Sequence, residues 1–262
     1  MLAALVERQA ADPRDVSSLR WISHGASPVA MEVVRRAADV FGCELIHLYG
    51  ATELSPLATV FRHEEHHLGS ERAKSCGQRA PGVSMRIIDA NGSDVGAGEV
   101  GEVVIHGPNV MAGYWNRPDE TAAAMLPGGW YRTGDLGCVD GDGYLHLVDR
   151  AKDMIVSGGE NVYCTEVEDA LYAHPDVLEA TVFGIPHDQW GEAVHAVVVT
   201  RPQAEPLTEP LLIEHCRTLI AGYKAPKSIS FQTDPLPKSG PGKVLKRALR
   251  APFWEGRATQ IN

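Results

Sequence analysis

Residues 19–23 form a short apolar run, 28–41 carry apolar positions at helical spacing, and 44–48 form a second short run leading into Tyr49 and Gly50. That order predicts strand, helix, strand, and so part of an α/β layer. From Gly77 to Leu147 the period falls to two: SMRIID, GEVVIHG and GYLHLVD alternate apolar with polar positions. Asn91-Gly92 and Gly141-Asp142-Gly143 separate these runs as hairpin and turn residues, so a small β-rich subdomain is expected there. After Asp149 the pattern predicts a strand at 154–157, a helix at 165–173, strands at 180–185 and 193–200, a helix at 209–220 and a strand near Ile229. That is a compact α+β unit of about 110 residues. The fold class is therefore mixed: an α/β layer and a β-rich part, then an α+β unit.

With 262 residues, 44% of them hydrophobic, the chain can supply one large or two modest cores. The opening MLAALVERQAADPRD carries acidic and basic residues inside its short apolar stretch, and no later run approaches the length of a membrane span. A cytoplasmic protein without a membrane span is expected. Five cysteines, at 43, 76, 138, 164 and 216, form no C-x-x-C pair, and their odd number argues for reduced, packed thiols.

Charge is unevenly spread. Residues 217–257 hold nine Lys or Arg against Asp234 and Glu255, so this segment is near +7 within a chain of net charge −10. A basic tail on an acidic body suits a polyanion such as ATP or the phosphates of coenzyme A. Nucleic acid is set aside, since few aromatic residues accompany the cations and no nucleic-acid motif occurs. The alternative is a solvated helix face.

Candidate chemistry concentrates in three segments. The run GWYRTGDLGCVDGDGYLHLVDRAKDMIVSGGENV, at 129–162, places a carboxylate, an arginine, a lysine and a glycine pair around turn-rich β structure. Upstream, Tyr49-Gly50-Ala51-Thr52-Glu53 offers a ring for stacking, a glycine for close backbone approach, a hydroxyl for phosphate oxygen and the hard carboxylate oxygen that Mg²⁺ prefers. Near the end, Leu236-Pro237-Lys238-Ser239-Gly240-Pro241-Gly242-Lys243 sets an ammonium on a Gly-rich loop. From the residues alone, the same segments also fit a strand ending in a turn, a turn-capping Asp135 with Arg150 as surface partner, and an exposed lysine before a basic helix.

In this order the three segments resemble the core of the adenylate-forming (AMP-binding) superfamily, which includes acyl-CoA synthetases, firefly-type luciferases and peptide-synthetase adenylation domains. SGGENVYCTEVEDAL, at 157–171, is most similar to fatty-acid and related acyl-CoA ligases. The resemblance implies that 1–149 is the C-terminal part of the large AMP-binding domain and 150–262 the whole small C-terminal domain. It implies nucleotide binding by Gly25, Ala26, Ser27, Tyr49, Gly50, Asp135 and Arg150, with the last two on the ribose hydroxyls. His24 stands where many members have glycine. It further implies catalytic roles for Thr52, Glu53 and Lys243, with Glu53 also holding Mg²⁺ and Lys243 bridging the substrate carboxylate and the α-phosphate. Lys152 falls at the hinge position, and Gly158, Gly159 and Glu160 fall on the loop lining the pantetheine tunnel.

The implied reaction joins a carboxylic acid to ATP, giving an acyl adenylate and pyrophosphate, after which coenzyme A displaces AMP. Alternatives are a peptide-synthetase type adenylation domain and a nucleotide-binding fragment without turnover. The front of the large domain, with its Ser/Thr/Gly-rich phosphate loop, does not occur in the sequence, which implies a fragment, a truncated reading frame or a half that works with another chain. A partial core of this kind favours self-association, though the sequence fixes neither an oligomeric state nor the acyl group.

Two other motifs fail on physical grounds. A Walker A loop needs glycine six residues before the lysine and Ser or Thr after it, whereas Pro237 and Val244 stand there. His63-Glu64-Glu65-His66-His67 satisfies H-E-x-x-H, but the stretch is polar with Gly69 just beyond it, unlike the buried helix of a zinc protease.

Overall fold

A computed structural model of the chain describes residues 1–25, 31–62, 72, 75–201, 207–240 and 242–256. Two compact units emerge, Met1–Leu147 and Val148–Asn262.

The first unit begins with helix α1 (Leu2–Ala11), followed by β1 (Trp21–Gly25), α2 (Met31–Phe41) and β2 (Glu44–Tyr49). Strands β1 and β2 are parallel neighbours. A parallel pair needs a crossover, which α2 supplies. Val6, Val34, Ala37 and Leu45 form the small core beneath this layer. A 3₁₀ turn, Thr52–Leu54, leads to β3 (Thr59–Phe61) and β4 (Gln78–Arg79), which complete a four-stranded sheet in the order β1-β2-β3-β4. The β-rich stretch holds β5 (Ser84–Ile88), β6 (Gly101–His106), helix α3 (Pro118–Ala124), β7 (Met125–Leu126), β8 (Trp130–Val139) and β9 (Leu145–Arg150). Their sheet runs β5-β6-β8-β7, with β9 also on β8. Tyr49, Leu54, Val103, Ile105, Tyr131 and Leu145 are buried together, so residues of both sheets share one core. The division between units falls within β9.

The second unit comprises β10 (Ile155–Ser157), β11 (Glu160–Val162), α4 (Cys164–Tyr172), β12 (Val177–His187), β13 (Gly191–Thr200), α5 (Glu209–Leu219), β14 (Ser228–Gln232) and α6 (Lys246–Trp254). The sheet order is β11-β10-β13-β12, with β14 parallel to β13. Strand β13 is buried from Glu192 to Val199 because both its faces are covered. Val194, Ala196 and Val198 join Val167 and Leu171 of α4 and Leu212 and Cys216 of α5. Val197 and Val199 alternate to the other face, against Phe183 and Leu236, with Val244 and Leu249 packed around them. All five cysteines are free, and four are buried. Among the described residues no helix is long and apolar enough to cross a membrane.

One polar residue interrupts the second face of β13. His195 Nδ1 lies 2.7 Å from the Ser228 hydroxyl, and its ring packs against Phe183 and Phe253. Burial lowers its pKa, and the nearby charge of Glu209 opposes that only in part. A histidine depressed in the native state contributes stability that is present above the unfolded-state value, about 6.5, and is lost as pH falls toward the folded-state value. The denaturant midpoint is therefore expected to fall between pH 7 and pH 5, and His195→Gln is expected to flatten that dependence. An unchanged slope in the variant would remove His195 as its source.

Candidate functional site

Two carboxylates and three tyrosines converge in the first unit. Tyr49 ends β2, and its hydroxyl donates to Asp135 Oδ2 at 2.7 Å, across 86 residues of sequence. Asp135 lies where the register of β6 against β8 shifts, a bulge that re-aims side chains along the strand. The Thr133 hydroxyl donates to the Val103 carbonyl at 2.8 Å and accepts the Asp135 amide at 3.0 Å. Glu102 accepts both the Gly134 amide and Arg132 Nε, which braces the bulge from its other side.

Glu53 sits in the Thr52–Leu54 turn, and Tyr114 donates to its Oε1 at 2.9 Å. Asn109 Nδ2 holds this turn through the Leu54 and Leu57 carbonyls at 3.1 and 2.7 Å, and the Met111 amide donates to the Glu53 carbonyl at 2.8 Å. Tyr131 hydrogen-bonds Tyr114 and feels the charges of both Glu53 and Asp135. Burial raises the pKa of Tyr49, Tyr114 and Tyr131, and the neighbouring carboxylates raise it further. All three phenols are therefore neutral donors at physiological pH.

The expected positions divide between the two units. Tyr49, Gly50, Thr52, Glu53 and Asp135 lie in the first, as does Gly25, at the end of β1 opposite Leu48. Ala26, Ser27 and the His63–His67 run at 63–67 lie outside the described residues. Gly50 has a reason independent of any ligand: a Cβ there would drive into the Pro56 carbonyl, so the turn itself requires glycine. Arg150 ends β9 in the second unit, where its amide donates to Asp149 Oδ1 at 2.7 Å. Lys152 is exposed in the turn that follows. Gly158 and Gly159, with φ of 64° and 88°, form the two-residue connection of the β10–β11 hairpin, with Ser157 opposite Glu160. Both positive angles match the turn whose twist suits a hairpin. Lys243 is exposed, in a loop closed by a Ser239 amide bond to its carbonyl at 2.8 Å and by pairing of Lys238 with Val244.

The basic tail, expected to face a polyanion or else to be a solvated helix face, is partly tied up in ion pairs within the second unit. Lys246 pairs with Glu168 at 2.9 Å and Arg250 with Glu192 at 3.0 Å, and the two basic side chains are only 20% and 15% exposed. Lys224 binds both oxygens of Glu166 at 2.7 Å, and Lys238 pairs with Glu179. Part of the positive charge thus serves intramolecular contacts rather than a ligand. Tyr114 and Tyr131 are the site residues that sequence reasoning passed over. Neither is ionic, and the one visible cue is an aromatic residue beside glycine in the run 111–115.

Residues 1–115 match the model of the AMP-binding enzyme family, and residues 166–243 match that of the AMP-binding enzyme C-terminal domain. The chain belongs to the AMP-binding enzyme family. Among its AMP-binding relatives, a feruloyl-CoA synthase from Amycolatopsis sp is 44% identical over 93% of this chain and 49% of that protein. A long-chain-fatty-acid–CoA ligase from Yersinia pestis is 41% identical over 94% of this chain and 42% of the ligase. Among solved structures, ATP-bound MatB from Rhodopseudomonas palustris superposes with a TM-score of 0.84 at 32% identity, covering 97% of this chain and 50% of that one. The chain spans about half the length of the curated relatives it matches.

Proposed function

We propose that this chain provides the nucleotide-handling part of an AMP-forming acyl-CoA ligase, which activates a carboxylic acid with ATP and transfers the acyl group to coenzyme A. In this reading Met1–Leu147 is the C-terminal part of the large AMP-binding domain and Val148–Asn262 the small one. The observation that carries it is the Tyr49–Asp135 pair at 2.7 Å, with Glu53 in the same tyrosine-linked cluster.

The chemistry of the cluster fits a nucleotide. An ionised carboxylate accepts two hydrogen bonds from a vicinal diol, and an aromatic ring beside it offers a face to the base. Gly25 lies at the end of the strand beside β2, and with Ala26 and Ser27, next in sequence, it is assigned by family resemblance to the adenine and acyl side of the site. Arg150 adds a cation for the sugar. Among the described residues no group of three or more His, Cys, Asp or Glu forms a metal cage. Glu53 as a lone carboxylate, with Thr52 beside it, suits Mg²⁺, which keeps several waters and takes substrate phosphates as ligands. The ion would supply charge neutralisation at the phosphates. Tyr114 meanwhile fixes the orientation of Glu53. Lys243 supplies a point charge on an exposed loop, and Lys152 sits in the exposed turn that follows β9, which suits a hinge. Gly158, Gly159 and Glu160 form an exposed hairpin tip suited to the pantetheine arm of coenzyme A.

Calorimetric titration with AMP tests the reading. The chain is expected to bind AMP, and Asp135→Ala is expected to weaken binding by about 100-fold, since two hydrogen bonds to a charged acceptor are lost. Absence of binding, or binding indifferent to Asp135, would sink it. Binding without acid-dependent ATP–pyrophosphate exchange would leave nucleotide binding alone as the activity of the chain.

A further inference from the structure

We propose that Glu192 and Arg250 are positioning residues that tie the Gly158-Gly159 hairpin and the Lys243 loop into a single rigid body. The functional meaning of the two loops rests on the reading above. The coupling between them rests on geometry.

Glu192 lies on β13 with its side chain 1% exposed. One oxygen, Oε2, accepts the Val156 amide of β10 at 3.1 Å, two residues before Gly158. The other, Oε1, accepts the Arg250 guanidinium at 3.0 Å, in the helix that starts three residues after Lys243. A single buried carboxylate thus joins two elements that share no strand pairing. The residues beside it reinforce the hairpin end: the Gly158 amide donates to the Trp190 carbonyl at 2.9 Å, and Ser157 pairs with Gly191. Space for the carboxylate is cleared at Gly184, where an added Cβ would stand 2.8 Å from the Glu192 carboxyl carbon.

The helix end is equally fixed. The Arg250 guanidinium lies 5.0 Å from the Trp254 ring centre, and Trp254 Nε1 donates to the Gly184 carbonyl at 3.2 Å. Lys246 is held by Glu168, whose Oε1 also accepts the Val182 amide at 2.8 Å. From this anchored helix the loop carrying Lys243 is closed by the Leu245 amide on the Pro237 carbonyl at 2.8 Å. Stability alone does not call for an ionic node, because well-packed apolar residues serve a core as well as a buried ion pair does. What the carboxylate adds is direction, with one bond to strand β10 and one to helix α6, the elements that carry the two loops.

Hydrogen exchange read by mass spectrometry on the full chain tests the coupling and needs no nucleotide, so its outcome is independent of whether AMP binds. Arg250→Met is expected to raise exchange in both 155–162 and 237–245 by about 10-fold more than in 164–172. Arg250→Lys, which keeps a charge-assisted donor, is expected to restore most of the protection in both segments. Trp254→Phe loosens the helix end without touching Glu192, and is expected to raise exchange on the 237–254 side alone. If Arg250→Met does not fold, Glu192→Gln, which keeps the shape of the side chain, is expected to loosen the same two segments. Exchange confined to the 237–254 side in Arg250→Met or Glu192→Gln, no change in either segment, or a hairpin effect reproduced by Trp254→Phe would overturn the proposal.

Discussion

If the proposed function holds, replacing Lys243 with alanine is expected to slow acid-dependent adenylation by about 10²- to 10³-fold while leaving AMP affinity unchanged, because the side chain would act where charge develops and not on the bound nucleotide. The loop is built from backbone bonds, the Ser239 amide to the Lys243 carbonyl and the Gly242 amide to the Ser239 carbonyl, both at 2.8 Å. Truncating the side chain leaves those backbone bonds in place, so the closed loop should survive the substitution. A compact ammonium on a flexible stem reaches between two anionic groups, whereas the wider planar guanidinium of Lys243→Arg is expected to recover little of the rate. The check is ATP–pyrophosphate exchange with a carboxylic acid present, set beside calorimetric AMP titration. A rate loss that merely tracks a loss of AMP affinity would assign Lys243 to ground-state binding.

The fold was legible where burial leaves a period in the chain. The apolar run of β13 reflects cover on both faces, whereas β6 buries Val103, Val104 and Ile105 in succession, so the alternation expected there is not the pattern of burial. Helices α4 and α5 fall within a residue of their expected ends, and β12 extends the expected strand by a few residues at each end. Two helices left no such trace. In α1 only Val6 is buried, and in α3 no residue is, so neither carries the apolar stripe that periodicity detects. The candidate site was legible where its residues are consecutive, as in 49–53, and at Asp135. It was not legible where the partners are distant: Tyr114 meets Glu53 across 61 residues, and Arg250 meets Glu192 across 58. Charge counting revealed an excess of cations after residue 217 but carried no information about which carboxylates they meet.

Glu192→Ala is expected to destabilise the second unit by about 3–5 kcal/mol, because it leaves Arg250 largely buried without its counter-charge. Among the described residues Arg250 Nε has no hydrogen-bond partner, so Glu192 is the carboxylate on which the guanidinium depends. Removing Arg250 alone, as in Arg250→Met, leaves the opposite charge at 1% exposure and should cost a comparable amount. The double replacement Glu192→Ala, Arg250→Met removes both charges, and it should cost much less than the two single losses added together. Denaturant midpoints of the three variants and the parent, at matched slope, measure that difference directly. If the single losses simply add, the two groups are energetically independent, and the contact at 3.0 Å is incidental to the fold. If they do not, the unit depends on the match between two buried charges, and neither residue can be exchanged without the other.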